Sequence, residues 1–268
     1  MRFAALLALG CCLWAVSGGA RADDDEPNAA QLAASSIDRA YGGSRVEIWK
    51  SQWKDQVMVY GVARRWNASR PEVEIKVFEP KHLSGLAFLI RRLDTGAPGV
   101  EYYHAPKVFP NSSKTGRTFA IEVASDLEAL PYGPGLPPLV DVWPERASNY
   151  QFTRLADTEI SGKPCRVLEA RLRHSEGDYD RIVTSLARDS NIALDTQYLL
   201  DRRLVRRVTV LPTDIDRSEN RPVVRKRTIE RTGEAPQILT LVSFNLDPVL
   251  PDDFFTSSNL RTGRFPSY

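Results

Sequence analysis

From residue 43 onward the chain is a long succession of short runs in which apolar and polar residues alternate, each closed by turn formers. Val73, Ile75 and Val77, interleaved with Glu74 and Lys76, are the plainest instance. A period of two sends alternate side chains to opposite faces of a strand, and an apolar face must find cover. Similar runs lie at 46–49, 57–62, 99–104, 118–123, 149–155, 165–172, 180–186, 195–200, 204–211, 223–231 and 238–244. Leu86-Ala87-Phe88-Leu89-Ile90 is apolar on both faces. Ile238-Leu239-Thr240-Leu241-Val242 is too, and such strands are expected to meet a core on one side and a lid or cavity on the other. No helical segments alternate with the strands, so hairpins join them and the sheet is antiparallel. About ten strands in one sheet curl into a barrel or split into a sandwich.

The first 22 residues stand apart. Met1-Arg2 is a basic start, an apolar run follows to Val16, and Ala20-Arg21-Ala22 forms an A-x-A cleavage pattern. The apolar run is shorter than the roughly 20 residues a bilayer span needs. Residues 1–22 are therefore expected to be an export signal cleaved after Ala22. Ala8-Leu9-Gly10-Cys11 faintly resembles a lipoprotein processing site, but cleavage there leaves too short an apolar stretch. Residues 23–44 form a leader and helix: acidic residues 23–26, Pro27 in the first turn, Gly42-Gly43 past the end, and an apolar stripe of Ala33, Ile37 and Ala40/Tyr41. Residues 45–268 are expected to form a single domain.

Removing the signal leaves 34 basic and 34 acidic residues. A neutral chain is a poor binder of nucleic acid, which depends on phosphate neutralisation. Cys11 and Cys12 leave with the signal, so Cys165 is alone and no intrachain disulfide forms. In Gly162-Lys163-Pro164-Cys165 it reads as a small buried residue after a turn. No nucleophile elbow, zinc-protease helix, phosphate loop or dinucleotide fingerprint occurs. His82, His104 and His174 are widely separated, with no carboxylate at ligand spacing. No catalytic residue, metal site or cofactor is expected.

Three features remain open on the residues alone. Residues 130–143 carry Pro131, Pro134, Pro137 and Pro138 with Leu136, Leu139, Val140 and Trp143, an apolar loop that is either a surface excursion packed by its own leucines or a flap over an apolar cavity. Trp49, Trp53 and Trp66 either line a ligand mouth or pack a sheet edge. The pairs Arg202-Arg203 and Arg206-Arg207, with Arg225-Lys226-Arg227, read first as a solvated strand face and second as a contact for anionic headgroups. On a strand, half of each pair must point the other way.

Four runs together resemble the LolA-like outer-membrane lipoprotein-sorting family. They are Phe78-Glu79-Pro80 with Gly85 and Leu86, Glu101-Tyr102-Tyr103-His104-Ala105-Pro106, Gly162-Lys163-Pro164-Cys165-Arg166-Val167, and Leu250-Pro251-Asp252-Asp253-Phe254. Their order and spacing agree over residues 46–260. The resemblance implies a mainly β fold with an α lid: a half-open antiparallel β-barrel of about ten to eleven strands with an N-terminal helix. It also implies a periplasmic, non-enzymatic, monomeric carrier of lipid or lipoprotein acyl chains, served by an inner-membrane export pump and an outer-membrane acceptor. Phe78, Pro80, Gly85, Gly162, Cys165, Pro251, Asp252 and Phe254 are then architectural, and the cavity or lid falls to Trp49, Trp53, Phe88, Tyr102, Leu136, Leu139 and Trp143. The rival readings are an envelope sensor or interaction module on the same fold and, third, a hydrolase with an unrecognised site.

Overall fold

The computed structural model describes residues 26–66, 71–92, 98–104, 117–122, 135–137, 139–143, 149–173, 179–217, 221–262 and 264–266. Helix α1 (Ala29–Tyr41) begins at Asn28, whose side chain accepts from the Gln31 amide while Gln31 reaches back to the Asn28 amide, a reciprocal cap. It ends where the Gly42 amide donates to the Asp38 carbonyl at 2.7 Å. The stripe it buries is Ala29, Leu32 and Ala33, packed on Leu168 and Leu186. Ile37 is only half-buried and Ala40 is exposed, so the expected stripe is turned by about one residue.

The strands follow as β1 (Gly43–Trp53), β2 (Gln56–Trp66), β3 (Glu72–Glu79), β4 (Ala87–Arg92), β5 (Pro98–His104), β6 (Arg117–Glu122), and, after a short helix α2 (Leu139–Val142), β7 (Tyr150–Ile160), β8 (Lys163–Leu172), β9 (Arg181–Ala187), β10 (Ala193–Leu200), β11 (Arg203–Thr209), β12 (Ile215–Asp216), β13 (Val223–Val224), β14 (Lys226–Arg231) and β15 (Gln237–Leu246). Helix α3 (Ser257–Thr262) lies near the end. Thirteen strands form one antiparallel sheet, ordered β6-β5-β4-β3-β2-β1-β15-β14-β11-β10-β9-β8-β7. The chain builds outward from β1 to one edge, crosses through α2 to the other edge, and returns strand by strand until β15 pairs with β1.

Edges β6 and β7 stay apart, so the barrel is half-open, as the resemblance implied. Because an open sheet need not close on a fixed strand number, it holds thirteen strands where about ten to eleven were expected. The expected run 223–231 divides. Val223 and Val224 pair with Ile215 and Asp216 in a separate hairpin, and only the residues from Lys226 onward join the main sheet.

Register decides which side chains share a face. Trp49 opposes Tyr60 and Leu241, Ile75 opposes Phe88, and Phe88 opposes Tyr102. Val208 on β11 opposes Ile229 on β14. Phe88, Tyr102, Val208 and Ile229 belong to one apolar cluster although their strands lie far apart in the sheet, so the sheet curls and this is its inner face. A bulge between Ile48 and Trp49 leaves Val242 unpaired and 52% exposed, against the expectation that its strand is covered on both faces. Leu86 to Ile90 fulfils that expectation: Phe88 and Ile90 face inward, Ala87 and Leu89 outward, all buried.

The outer face has its own cover. Over β1–β4 the closing segment lays Phe254, Phe255, Leu260 and Phe265 against Val46, Ala63, Ala87 and Leu89. Gly61 is required there, since a Cβ would sit 2.5 Å from the Phe265 ring. The β12–β13 hairpin instead packs Ile215 and Val224 with Cys165, Ala187 and Leu194 of β8–β10, while its Val223 joins the inner cluster. The motif residues lie in turns and packed segments of the sheet. Phe78 packs edge-on to Phe265 at 5.5 Å, Pro80 opens the turn that Gly85 closes at φ 90°, and Ser161-Gly162 turns β7 into β8 with both residues at positive φ. The Pro251 carbonyl accepts from the Phe254 amide, and Asp252 is exposed beside Arg65. Cys165 is fully buried, and burial pushes its thiol pKa up.

Candidate functional site

The inner face is two surfaces side by side. Beneath β1–β5 it is a continuous apolar floor of Trp49, Met58, Tyr60, Val62, Ile75 and Phe88. These residues alternate with outward-facing ones along each strand, so strand pairing alone assembles the floor. Its cover comes from Leu136, Val142 and Trp143, each no more than 4% exposed and part of the same cluster. Trp143 meets Trp66 edge-on at 6.0 Å. Gly135 rests on Met58, and Gln237 Nε2 donates to Ser51 Oγ at 2.9 Å and to the Gly135 carbonyl at 3.5 Å. Of the two readings left open for this segment, the described part is no surface excursion.

Beside that floor the surface is charged. Arg206 on β11 is 1% exposed, stacks on Tyr198 at 4.6 Å, and forms a buried ion pair with Asp141 of α2. Burial pushes the Asp141 carboxyl up, but Arg206 and then Arg227 outweigh it and hold it below the usual carboxylate range. Glu47 is similar: burial raises its carboxyl, while Arg64 and Arg45 bring it below normal. Arg64 Nη2 donates to Glu47 Oε2 at 3.1 Å, and Trp49 Nε1 donates to the same oxygen at 3.2 Å. Arg64 Nη1 also donates to the Ala40 carbonyl at 3.3 Å, tying the last turn of α1 to β2. Helix α1 therefore bridges the mouth, packed on β8 and β9 at its start and tied to β2 at its end.

A cavity of about 210 Å³ lies under α1, lined by Ser36, Ala40, Arg45, Glu47, Arg64 and Arg227 together with Trp49, Val208 and Val223. Ligand sites usually enclose about 300–1,000 Å³ with mostly apolar walls. This cavity is smaller than that and largely charged. The apolar floor beside it is covered by Leu136, Val142 and Trp143.

The candidates named from sequence distribute as follows. Trp49, Phe88, Leu136 and Trp143 come together in one cluster, and Tyr102 packs against it beside Phe88. Trp53 does not join them; it sits at the end of β1, its Nε1 donating to the Ala235 carbonyl, because its strand runs out beyond the floor. The Leu139 side chain lies outside the described residues. His82 is exposed in the turn after β3, while the His104 side chain and His174 lie outside the described residues, as does the signal segment. Among the described residues no three His, Cys, Asp or Glu side chains converge as metal ligands, and no helix is long and apolar enough to cross a membrane.

Sequence reasoning passed over Arg206 and Arg227 by reading their runs as a solvated face. Arg207 fits that reading, pairing with Asp195 on the outer face, but Arg206 turns inward. Alternation within Arg206-Arg207 was the available signal, and what it lacked was which side is inside.

A family model described as "Uncharacterized protein" matches residues 140–262. No curated protein matches. Among solved structures, a domain from Vibrio parahaemolyticus described under outer-membrane lipoprotein sorting is similar at 14% identity and TM-score 0.73, covering 87% of this chain and 98% of its own. A DUF1329 family protein from Desulfovibrio piger follows at 14% and 0.70, covering 87% and 97%. A LolA superfamily protein from Nitrosomonas europaea follows at 16% and 0.62, covering 87% and 100%. The chain has the LolA-like fold.

Proposed function

We propose that this protein is a non-enzymatic carrier in the periplasm that shelters the acyl chain of a lipid or lipoprotein, with Leu136, Val142 and Trp143 occupying the acyl site when no cargo is bound. The observation that carries this reading is the apolar inner floor covered by Leu136, Val142 and Trp143 rather than by a strand of the sheet. Exposing a methylene to water costs about 0.8 kcal/mol, so a long acyl chain in water is penalised by roughly 10 kcal/mol or more. A floor covered by its own segment in one state and by cargo in the other never meets water, and only the difference between two covers drives exchange. Uptake and release then stay reversible, as transfer from an inner-membrane export pump to an outer-membrane acceptor requires. The likeness in fold to a domain described under lipoprotein sorting supports the same direction.

Locking the segment in place tests this. A Cβ built on Gly135 lies 3.5 Å from Met58 Cβ, within the usual span of a disulfide. Wild-type protein mixed with a triacylated lipopeptide should show one lipopeptide per chain by native mass spectrometry. Oxidised Met58→Cys/Gly135→Cys should show none, and reduction should restore it. Equal loading of the oxidised form overturns the proposal. A wild type that stays empty but grips an envelope partner's soluble domain favours the sensor reading.

A further inference from the structure

We propose that the cavity under α1 receives the anionic head, a phosphate or carboxylate, of the amphiphile whose chain lies on the apolar floor, and that Arg227 is the charge that meets it. This rests on the carrier reading and adds the class of cargo. Three arginines and two carboxylates line the cavity, and Arg206 backs Asp141 from behind, so positive charge is in surplus. The carboxylates are committed: Glu47 to Arg64 and Arg45, Asp141 to Arg206. Arg227 acts on both carboxylates only through space, with no ion-pair contact to either. Its guanidinium stacks on Trp49 at 4.7 Å, and among the described residues its buried Nε meets no acceptor and no carboxylate hydrogen-bonds to it.

A guanidinium fixed on an aromatic face with open donors is prepared for a planar or tetrahedral anion. Size agrees, since about 210 Å³ is about seven water volumes, room for a head and too little for a tail. Position agrees as well: Trp49, Val208 and Val223 line the cavity and also belong to the floor's apolar surroundings, so a head held at Arg227 hands its chain directly to them.

Calorimetric titration with dodecyl phosphate, neutral monolaurin and inorganic phosphate separates the outcomes. Wild type should bind dodecyl phosphate at least tenfold more tightly than monolaurin and bind inorganic phosphate weakly. Arg227→Gln should lose about tenfold for dodecyl phosphate and keep its monolaurin affinity, and Arg227→Lys should recover part of the loss. Circular dichroism melts establish that both variants fold. If both amphiphiles bind wild type and Arg227→Gln equally, the head site is overturned while the carrier reading stands. If inorganic phosphate binds as tightly as dodecyl phosphate, the cavity serves the free ion and the amphiphile claim fails. If neither amphiphile binds wild type, the carrier reading itself fails.

Discussion

The two covers of the β1–β5 sheet are built differently, although both lie on apolar strand faces. On the outside, Phe254, Phe255 and Phe265 pack edge to face, Gly61 admits the Phe265 ring where no Cβ fits, and Asn259 donates to Glu74 beneath them. On the inside, a segment with one four-residue helix rests on the floor, tied by the buried Asp141–Arg206 ion pair and by the Gln237 hydrogen bond to the Gly135 carbonyl. Interlocked aromatics leave no partial way off, because each ring blocks the next. An ion pair is different. Water can replace each partner's contact once the segment lifts, so release costs little more than the apolar contacts themselves. One cover is interlocked with the sheet, and the other is the one we propose cargo replaces.

The largest expected effect is on the outer cover. Phe255→Ala should lower global stability by about 3–5 kcal/mol in a urea melt, with no gain in binding of an apolar dye at the inner face. A loss below about 1 kcal/mol would mean that the outer segment is as detachable as the inner one.

Glu74 supplies the next. Burial pushes its carboxyl from 4.5 up to about 8, partly offset by the Asn259 hydrogen bond. Between those values the folded state holds a proton that the unfolded chain has lost, so stability falls as pH rises from about 4.5 to about 8 and levels off above. Each pH unit in that window is worth about 1.4 kcal/mol at most. Glu74→Gln should therefore flatten the pH profile and raise stability at pH 7 by up to about 3 kcal/mol. A wild-type Tm that does not change between pH 5 and pH 8 would remove the buried carboxyl from the account of the outer cover.

Gly61→Ala should cost about 1–3 kcal/mol by pushing Phe265 off β2, and Phe265→Ala should relieve that clash, so the double variant should lose less than the sum of the two single changes. Additive losses would place the glycine's role elsewhere.

The smallest global effect belongs to the inner cover. Asp141→Asn should lower global stability by well under the about 3–5 kcal/mol that breaking a permanently buried pair costs, since lifting the segment lets Arg206 find water. Amide exchange across residues 139–142 should nonetheless rise to the level of an open segment, and binding of an apolar dye should increase. A global loss of about 3–5 kcal/mol without faster local exchange would show that the inner cover is as permanent as the outer one.

Much of the architecture was legible because strand alternation is a local rule. All thirteen strands of the main sheet coincide with runs readable along the chain, since a period of two and Gly, Pro or Asn turns act over a few residues. Helix α1 was legible from Pro27 and Gly42, though not its reciprocal Asn28–Gln31 cap or its true buried stripe. The Trp49–Phe88 floor was named in part. Its fillers Leu136 and Trp143 were named as well, but only as one of two readings of their loop.

What the amino-acid order determined by itself was the set of strands, the antiparallel hairpins and the need for apolar cover on both sheet faces. What only the tertiary structure decided was which face is inside. That choice depends on curvature summed over thirteen strands, and it alone buries Arg206 while its neighbour Arg207 stays at the surface. No local pattern contains that sum, so the ion pair that holds the inner cover, and Arg227 beside it, emerged only once distant strands had come together.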